Sequence, residues 1–140
     1  MKAANLNYSD IRKGDVYAFD KKLSKEDVIN FANLTGDLNP LHVDEEFGRK
    51  SVFNRNIVHG MLTASLFSTL VGMHCPGEKC LYLSQTLNFR SAVFYDDTVT
   101  VKGTVMSKND SIKLITLKTE IIKAGKIVII GEAKIKMLED

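Results

Sequence analysis

Long apolar runs are missing from this 140-residue chain. None approaches the roughly 18 consecutive apolar residues that span a bilayer, so no membrane segment is expected. The opening residues, MKAANLNYSDIRKGD, contain no apolar stretch of the kind a secretory leader requires. Cysteine is scarce: Cys75 and Cys80 are the two present, too few for the framework of a disulfide-stapled secreted domain. Free thiols and a cytoplasmic location follow as expectations. No block of five or more basic residues occurs, and a formal net charge of +2 leaves no electrostatic footprint for a nucleic-acid partner.

Motifs are missing as well. There is no G-x-S-x-G nucleophile elbow and no glycine-rich loop to cradle phosphates. The residues His42, His59, His74, Cys75 and Cys80 do not form the paired Cys and His spacings of a structural zinc site. No metal ligand is assigned.

What remains is the composition of a soluble globular protein, 44% hydrophobic and 26% charged, long enough for one hydrophobic core. With no repeat, low-complexity tract or linker, residues 1–140 read as one domain. Residues 14–23, GDVYAFDKKL, read as a first strand. The segment SKEDVINFANLTG reads as a helix, with Ser24 as N-cap, Asp27 three residues on, and Gly36 as the residue that ends it. Residues 59–74, HGMLTASLFSTLVGMH, are apolar nearly all round, the pattern of a helix without a solvated face. After CPGEK the chain alternates with period two in LYLSQTLNFR, TVTVKGTVM, SIKLITLKTEII and KIVIIGEAKIKM. The last two are joined at KAGK by a hairpin. An antiparallel sheet has one hydrophobic face, and the apolar helix is the element available to cover it. The expectation is an α+β fold whose sheet wraps around that helix and still leaves apolar surface for a second copy.

The chemistry-bearing stretch is GDLNPLH, residues 36–42. Taken singly, Asp37 reads as a turn residue and His42 as a core or surface histidine. Taken together they stand five residues apart in a segment stiffened by Gly36 and Pro40, with Asn39 biased towards an extended form by the proline after it. A carboxylate and an imidazole converging on one water suit proton transfer at neutral pH. Downstream, Gly60 stands where the apolar helix begins. Unpaired N–H groups at a helix N-terminus suit an oxyanion, although a glycine there also eases entry into a crowded core. His59 reads as a residue that fixes the turn.

FANLTGDLNPLHVDEEF, with its D-x-N-P-L-H core, resembles the signature of the MaoC-like hydratases, the (R)-specific enoyl-CoA hydratases. The likeness continues through NIVHGMLTASLFSTLVG and YLSQTLNFRSAVFYDDTVTV, covering most of the chain. The resemblance implies a hot-dog fold, a curved antiparallel sheet around a long helix, assembled as a homodimer or higher homo-oligomer. It implies hydration of a trans-2-enoyl-CoA to an (R)-3-hydroxyacyl-CoA with no cofactor, since coenzyme A enters as part of the substrate. By the same likeness Asp37 and His42 match the catalytic pair and Gly60 the backbone donor to the thioester oxygen. Asn39, Ser68 and Val71 match substrate-contacting positions, the last two at the acyl pocket. Alternatives are a dehydratase acting on (3R)-hydroxyacyl-[acyl-carrier-protein] thioesters, a hot-dog thioesterase, and a non-catalytic acyl-binding module.

Overall fold

Local capping chemistry sets the first helix. In the computed structural model, which describes residues 1–138, α1 spans Lys25–Thr35. The Ser24 hydroxyl accepts from the Asp27 N–H at 3.1 Å and the Asp27 carboxylate accepts from the Ser24 N–H at 2.9 Å. This reciprocal pair satisfies two donors that the helix itself leaves open. The bond from the Ser24 N–H also holds the Asp27 carboxyl below its ordinary range. Gly36 ends the helix with φ at +81° and donates its N–H to the Ala32 carbonyl at 2.8 Å. A left-handed residue at this position favours glycine.

The strands are β1 (Val16–Lys22), β2 (Cys80–Gln85), β3 (Asn88–Phe89), β4 (Thr98–Asn109), β5 (Leu114–Lys123) and β6 (Lys126–Met137). They form one antiparallel sheet in the order β1-β4-β5-β6-β2, with β3 also pairing to β6. Ala124 and Gly125, both at positive φ, make the two-residue turn between β5 and β6, the connection that matches strand twist. The helix α4 (Gly60–Thr69) lies on the apolar face and continues as a π-helical turn over Leu70–His74. Leu66, Phe67 and Leu70 pack there with Val99, Val101, Ile121 and Ile129. A second apolar cluster gathers Tyr8, Ile11, Val71, Leu117 and Ile135 beyond the end of α4. A sheet wrapped on a central helix is the hot-dog arrangement. No helix among the described residues is long and apolar enough to cross a membrane. Both cysteines are free; Cys75 is buried, and burial pushes its thiol up to about 12.

Three expectations need correction. The apolar helix is not buried all round: Met61, Ser65 and Ser68 are exposed along one side. Period-two alternation in LYLSQTLNFR marks two faces, yet Leu81, Leu83 and Phe89, which look like the inward set, are each about half exposed. The register shifts between Tyr82 and Ser84, and the segment splits into β2 and the short β3. At Gly131 of β6 the Thr86 carbonyl comes so close that a Cβ would stand 1.8 Å from its oxygen, which leaves room for glycine alone.

The third correction concerns the short, stiff loop expected between Asp37 and His42, which turns helical from Pro40: two short helices form, α2 (Pro40–Val43) and α3 (Glu45–Lys50). Pro40 supplies the first position of α2, where its missing N–H costs nothing. Asn39 keeps the extended backbone expected before proline and caps α2 through its side chain. Asn56, buried at 5% exposure, clamps both helices by donating from Nδ2 to the carbonyls of Leu41 at 2.9 Å and Asp44 at 2.8 Å. Truncation to Asn56→Ala strands these two acceptors in a dry site. The expected loss is about 2–4 kcal/mol, read in thermal denaturation as a fall in Tm of roughly 10 °C.

Candidate active site

Asp37 and His42 reach the site from two different elements. Asp37 follows the glycine that ends α1, and its N–H donates to the Thr35 hydroxyl at 3.2 Å. Its carboxylate accepts from the Asn39 N–H at 3.3 Å and its side chain stays about half exposed. His42 rides on α2, where its N–H donates to the Asn39 carbonyl at 2.9 Å. The Tyr95 hydroxyl, 53 residues further along the chain, donates to the His42 carbonyl, and burial pushes that phenol up, so it remains a donor.

The hydrogen bond of the His42 ring decides its tautomer. Nδ1 lies 2.8 Å from the Ile57 carbonyl. A carbonyl only accepts, so Nδ1 carries a proton, and in the neutral ring Nε2 keeps its lone pair. One carboxylate oxygen of Asp37 and one nitrogen each of His42 and His59 lie within 4.8 Å of one another. That gap suits a small molecule held between hydrogen-bonding groups.

His59 completes the group from beneath. It is 2% exposed, its Nε2 is 3.0 Å from the Asp37 carbonyl oxygen, and its ring lies 3.9 Å from that of His42 at 30°. The two imidazoles and the carboxylate are the one cluster of metal-binding residue types found among the described residues. Their geometry suits a metal poorly, because Nδ1 of His42 is already committed as a donor to the Ile57 carbonyl. Nε2 of His59 is also committed as a donor to the Asp37 carbonyl.

Gly60 is the first residue of α4, with His59 as its N-cap. It is exposed and lines a cavity of about 370 Å³ together with Phe53, Phe89, Arg90, Ser91 and Val128. The helix start therefore directs backbone N–H groups and the positive end of the helix dipole toward an open, mostly apolar cleft. A second cavity, about 440 Å³, lies against another side of α4 between Phe31, Met61, Ser68, Tyr82, Gln85 and Leu87. Its polar wall is internally bonded: the Tyr82 hydroxyl donates to Gln85 Oε1, and Gln85 Nε2 donates to the Thr119 hydroxyl at 2.8 Å. Burial pushes the Tyr82 phenol up to about 12.

The residues singled out in the sequence thus divide. Asp37 and His42 come together with His59, and Gly60 stands next to His59 at the start of α4. Asn39 shapes the site from within the loop, its carboxamide oxygen accepting from the Leu41 N–H at 3.0 Å. Ser68 lines the second cavity. Val71 does not; it lies past the end of α4, 2% exposed, in the cluster with Tyr8 and Ile11. Regular helical spacing places Ser68 and Val71 on one face, but the helix widens into its π-helical turn between them. Asn56, Tyr95 and the closeness of His59 were not foreseen. The local signal for Asn56 and Tyr95 is nil, since each bonds to a backbone carbonyl 12 to 53 residues away. His59 carried one signal, its place before Gly60.

Residues 11–126 match the MaoC like domain. The (R)-specific enoyl-CoA hydratase of Rhodospirillum rubrum is 38% identical over 128 residues, covering 91% of this chain and 89% of that protein. The mitochondrial 3-hydroxyacyl-[acyl-carrier-protein] dehydratase of Arabidopsis thaliana is 35% identical over 127 residues, 88% of this chain and 75% of that protein. Among solved structures, the (R)-hydratase of Aeromonas caviae superposes with a TM-score of 0.88 at 39% identity, over 91% of this chain and 97% of that one. With the family match spanning most of its length and relatives this similar on either side of it, the chain belongs to the MaoC-like domain family.

Proposed function

We propose that the protein hydrates trans-2-enoyl-CoA thioesters reversibly to (R)-3-hydroxyacyl-CoA. The observation that carries this reading is the gathering of the Asp37 carboxylate with a ring nitrogen of His42 and one of His59 within 4.8 Å beside the start of α4, the His42 ring being held through Nδ1 on the Ile57 carbonyl. Hydration adds a water oxygen to Cβ and a proton to Cα. Asp37 and His42 hold the water between them, take one of its protons as the oxygen attacks, and return a proton to Cα. They act as a coupled pair, so acid and base are roles of the pair rather than of either residue. As the C–O bond forms, negative charge gathers on the thioester oxygen. The Gly60 N–H at the head of α4 opposes that charge, and one well-placed donor of this kind contributes about 3–4 kcal/mol.

The reaction needs no resident metal or redox group, because proton transfer and charge stabilisation come from these side chains and the backbone. The cavity at Gly60 and the one at Ser68 offer room for the thioester arm and the acyl chain. Unpaired thiols fit a cytoplasmic setting. The likeness to an acyl-carrier-protein dehydratase favours a second reading in which the same pair acts on a carrier-protein thioester. Rates on crotonyl-CoA and crotonyl-acyl-carrier-protein separate the two. The expected kcat/KM is at least about tenfold higher for the CoA thioester, given the hydratase relatives, and a preference for the carrier protein reverses the assignment.

The pair itself is tested by substitution. Asp37→Asn keeps shape and removes charge; positioned proton transfer contributes about 10²–10⁴-fold. Hydration of crotonyl-CoA should therefore fall at least about 10²-fold in kcat, with KM changed much less. His42→Ala should do similar damage, and the double variant only slightly more. A folded Asp37→Asn protein with near wild-type kcat would remove Asp37 from the chemistry.

Assembly is the remaining element of the reading. Met61, Leu81, Leu83 and Phe89 are each at least 52% exposed and surround α4 and the edge strand β2. Such a set marks an interaction surface, and a second copy is the simplest cover. Multi-angle light scattering should give a dimer or a multiple of one at micromolar concentration, and a stable monomer would contradict this.

A further inference from the structure

We propose that His59 is the positioning residue of the Asp37–His42 pair, acting through its Nε2–H on the backbone of Asp37 and through its ring face on His42. An imidazole at 2% exposure carries two polar atoms into a site that an aliphatic residue would fill without desolvation cost. What it does there is tie together three parts of the site. Its Nε2 lies 3.0 Å from the Asp37 carbonyl, and since a carbonyl only accepts, Nε2 carries the hydrogen. Its ring covers that of His42 at 3.9 Å. Its own carbonyl accepts the Thr63 N–H at 3.1 Å, which starts the α4 ladder one residue before Gly60. The edge of Phe31, from α1, closes the remaining side at 4.9 Å.

Asp37 needs such an anchor. Its side chain is about half exposed and accepts from the backbone at 3.3 Å, a contact too long to fix a carboxylate on its own. The bond from His59 to the Asp37 carbonyl, beside that from the Asp37 N–H to the Thr35 hydroxyl, secures the backbone that presents it. His42 is secured along its Nδ1 edge by Ile57 and across its face by His59. The His59 ring does not itself move protons in this arrangement. Its Nε2 is committed, and its Nδ1 is buried with no hydrogen-bond partner among the described residues, so a second proton there would be a donor with no acceptor among them. The geometry accepts the neutral ring with hydrogen on Nε2.

The kinetic part of the test rests on the hydratase reading; the spectroscopic part does not. In ¹⁵N-labelled wild-type protein at neutral pH, the His59 imidazole should show the neutral Nε2–H tautomer with a slowly exchanging N–H proton. A charged ring, or a hydrogen on Nδ1, overturns the proposal whatever the protein catalyses. In crotonyl-CoA hydration, His59→Phe keeps a ring against His42 and loses the donor. Because a misplacement of about 1 Å costs on the order of 10²-fold, kcat should fall about 10- to 100-fold with KM within about twofold. Placed on Asp37→Asn, the same substitution should add no more than about a twofold loss. His59→Gln, which restores an N–H of similar reach, should recover activity over His59→Phe, and it serves alone if the Phe variant does not fold. An unchanged kcat in folded His59→Phe, a full multiplicative loss on Asp37→Asn, or a Gln variant no better than Phe each overturns it. A wild type inactive on both thioesters would sink the hydratase reading and leave the tautomer measurement to decide this one.

Discussion

A short helix on a long sheet is the constraint from which the rest follows. β4 and β6 are twelve residues each, about 40 Å of strand, whereas the ten residues of α4 span about 15 Å. One helix cannot cover that apolar face. The remainder is closed at one end by the π-helical turn and the N-terminal residues Tyr8 and Ile11. At the other end lies the segment that runs from α1 through α3 to His59. The core accordingly divides into two clusters, the second beyond the end of α4, and the start of α4 sits at the margin of the first. Gly60 is left exposed there and faces a cleft rather than the core.

The loop around the site is held by bonds to backbone rather than by side-chain packing. Gly36, Asn39 and Pro40 each resolve a local problem of helix termination or initiation. Asn56 and Tyr95 then attach the result to distant parts of the chain. Because those bonds end on carbonyls, they specify the position of the main chain and make no use of the Asp37 carboxylate or the His42 ring.

Features governed by neighbours in sequence were legible from the residues. The Ser24–Asp27 cap, the Gly36 stop and the KAGK turn all depend on contacts within a few positions, and all are present. The convergence of Asp37 and His42 was legible too, because Gly36 and Pro40 restrict the path between them. What escaped depends on long-range geometry. Alternation in residues 81–89 told which side chains share a face but not which face turns inward, and a register shift changed that answer. Val71 escaped because a helical wheel assumes a uniform helix, and the π-helical turn departs from one. The short helices at 40–50 escaped because their support lies in Asn56, beyond any local window.

The close approach at Gly131 reaches further than its own strand. With the Thr86 carbonyl seated where a side chain would be, the crossing from β2 to β3 is drawn onto β6, and Gln85 and Leu87 on either side of Thr86 line the cavity beside Ser68. The shape of that cavity is therefore governed from a residue that does not line it. For anyone seeking to redesign what the protein accepts, the lever lies one layer behind the wall, in an atom that the chain omits.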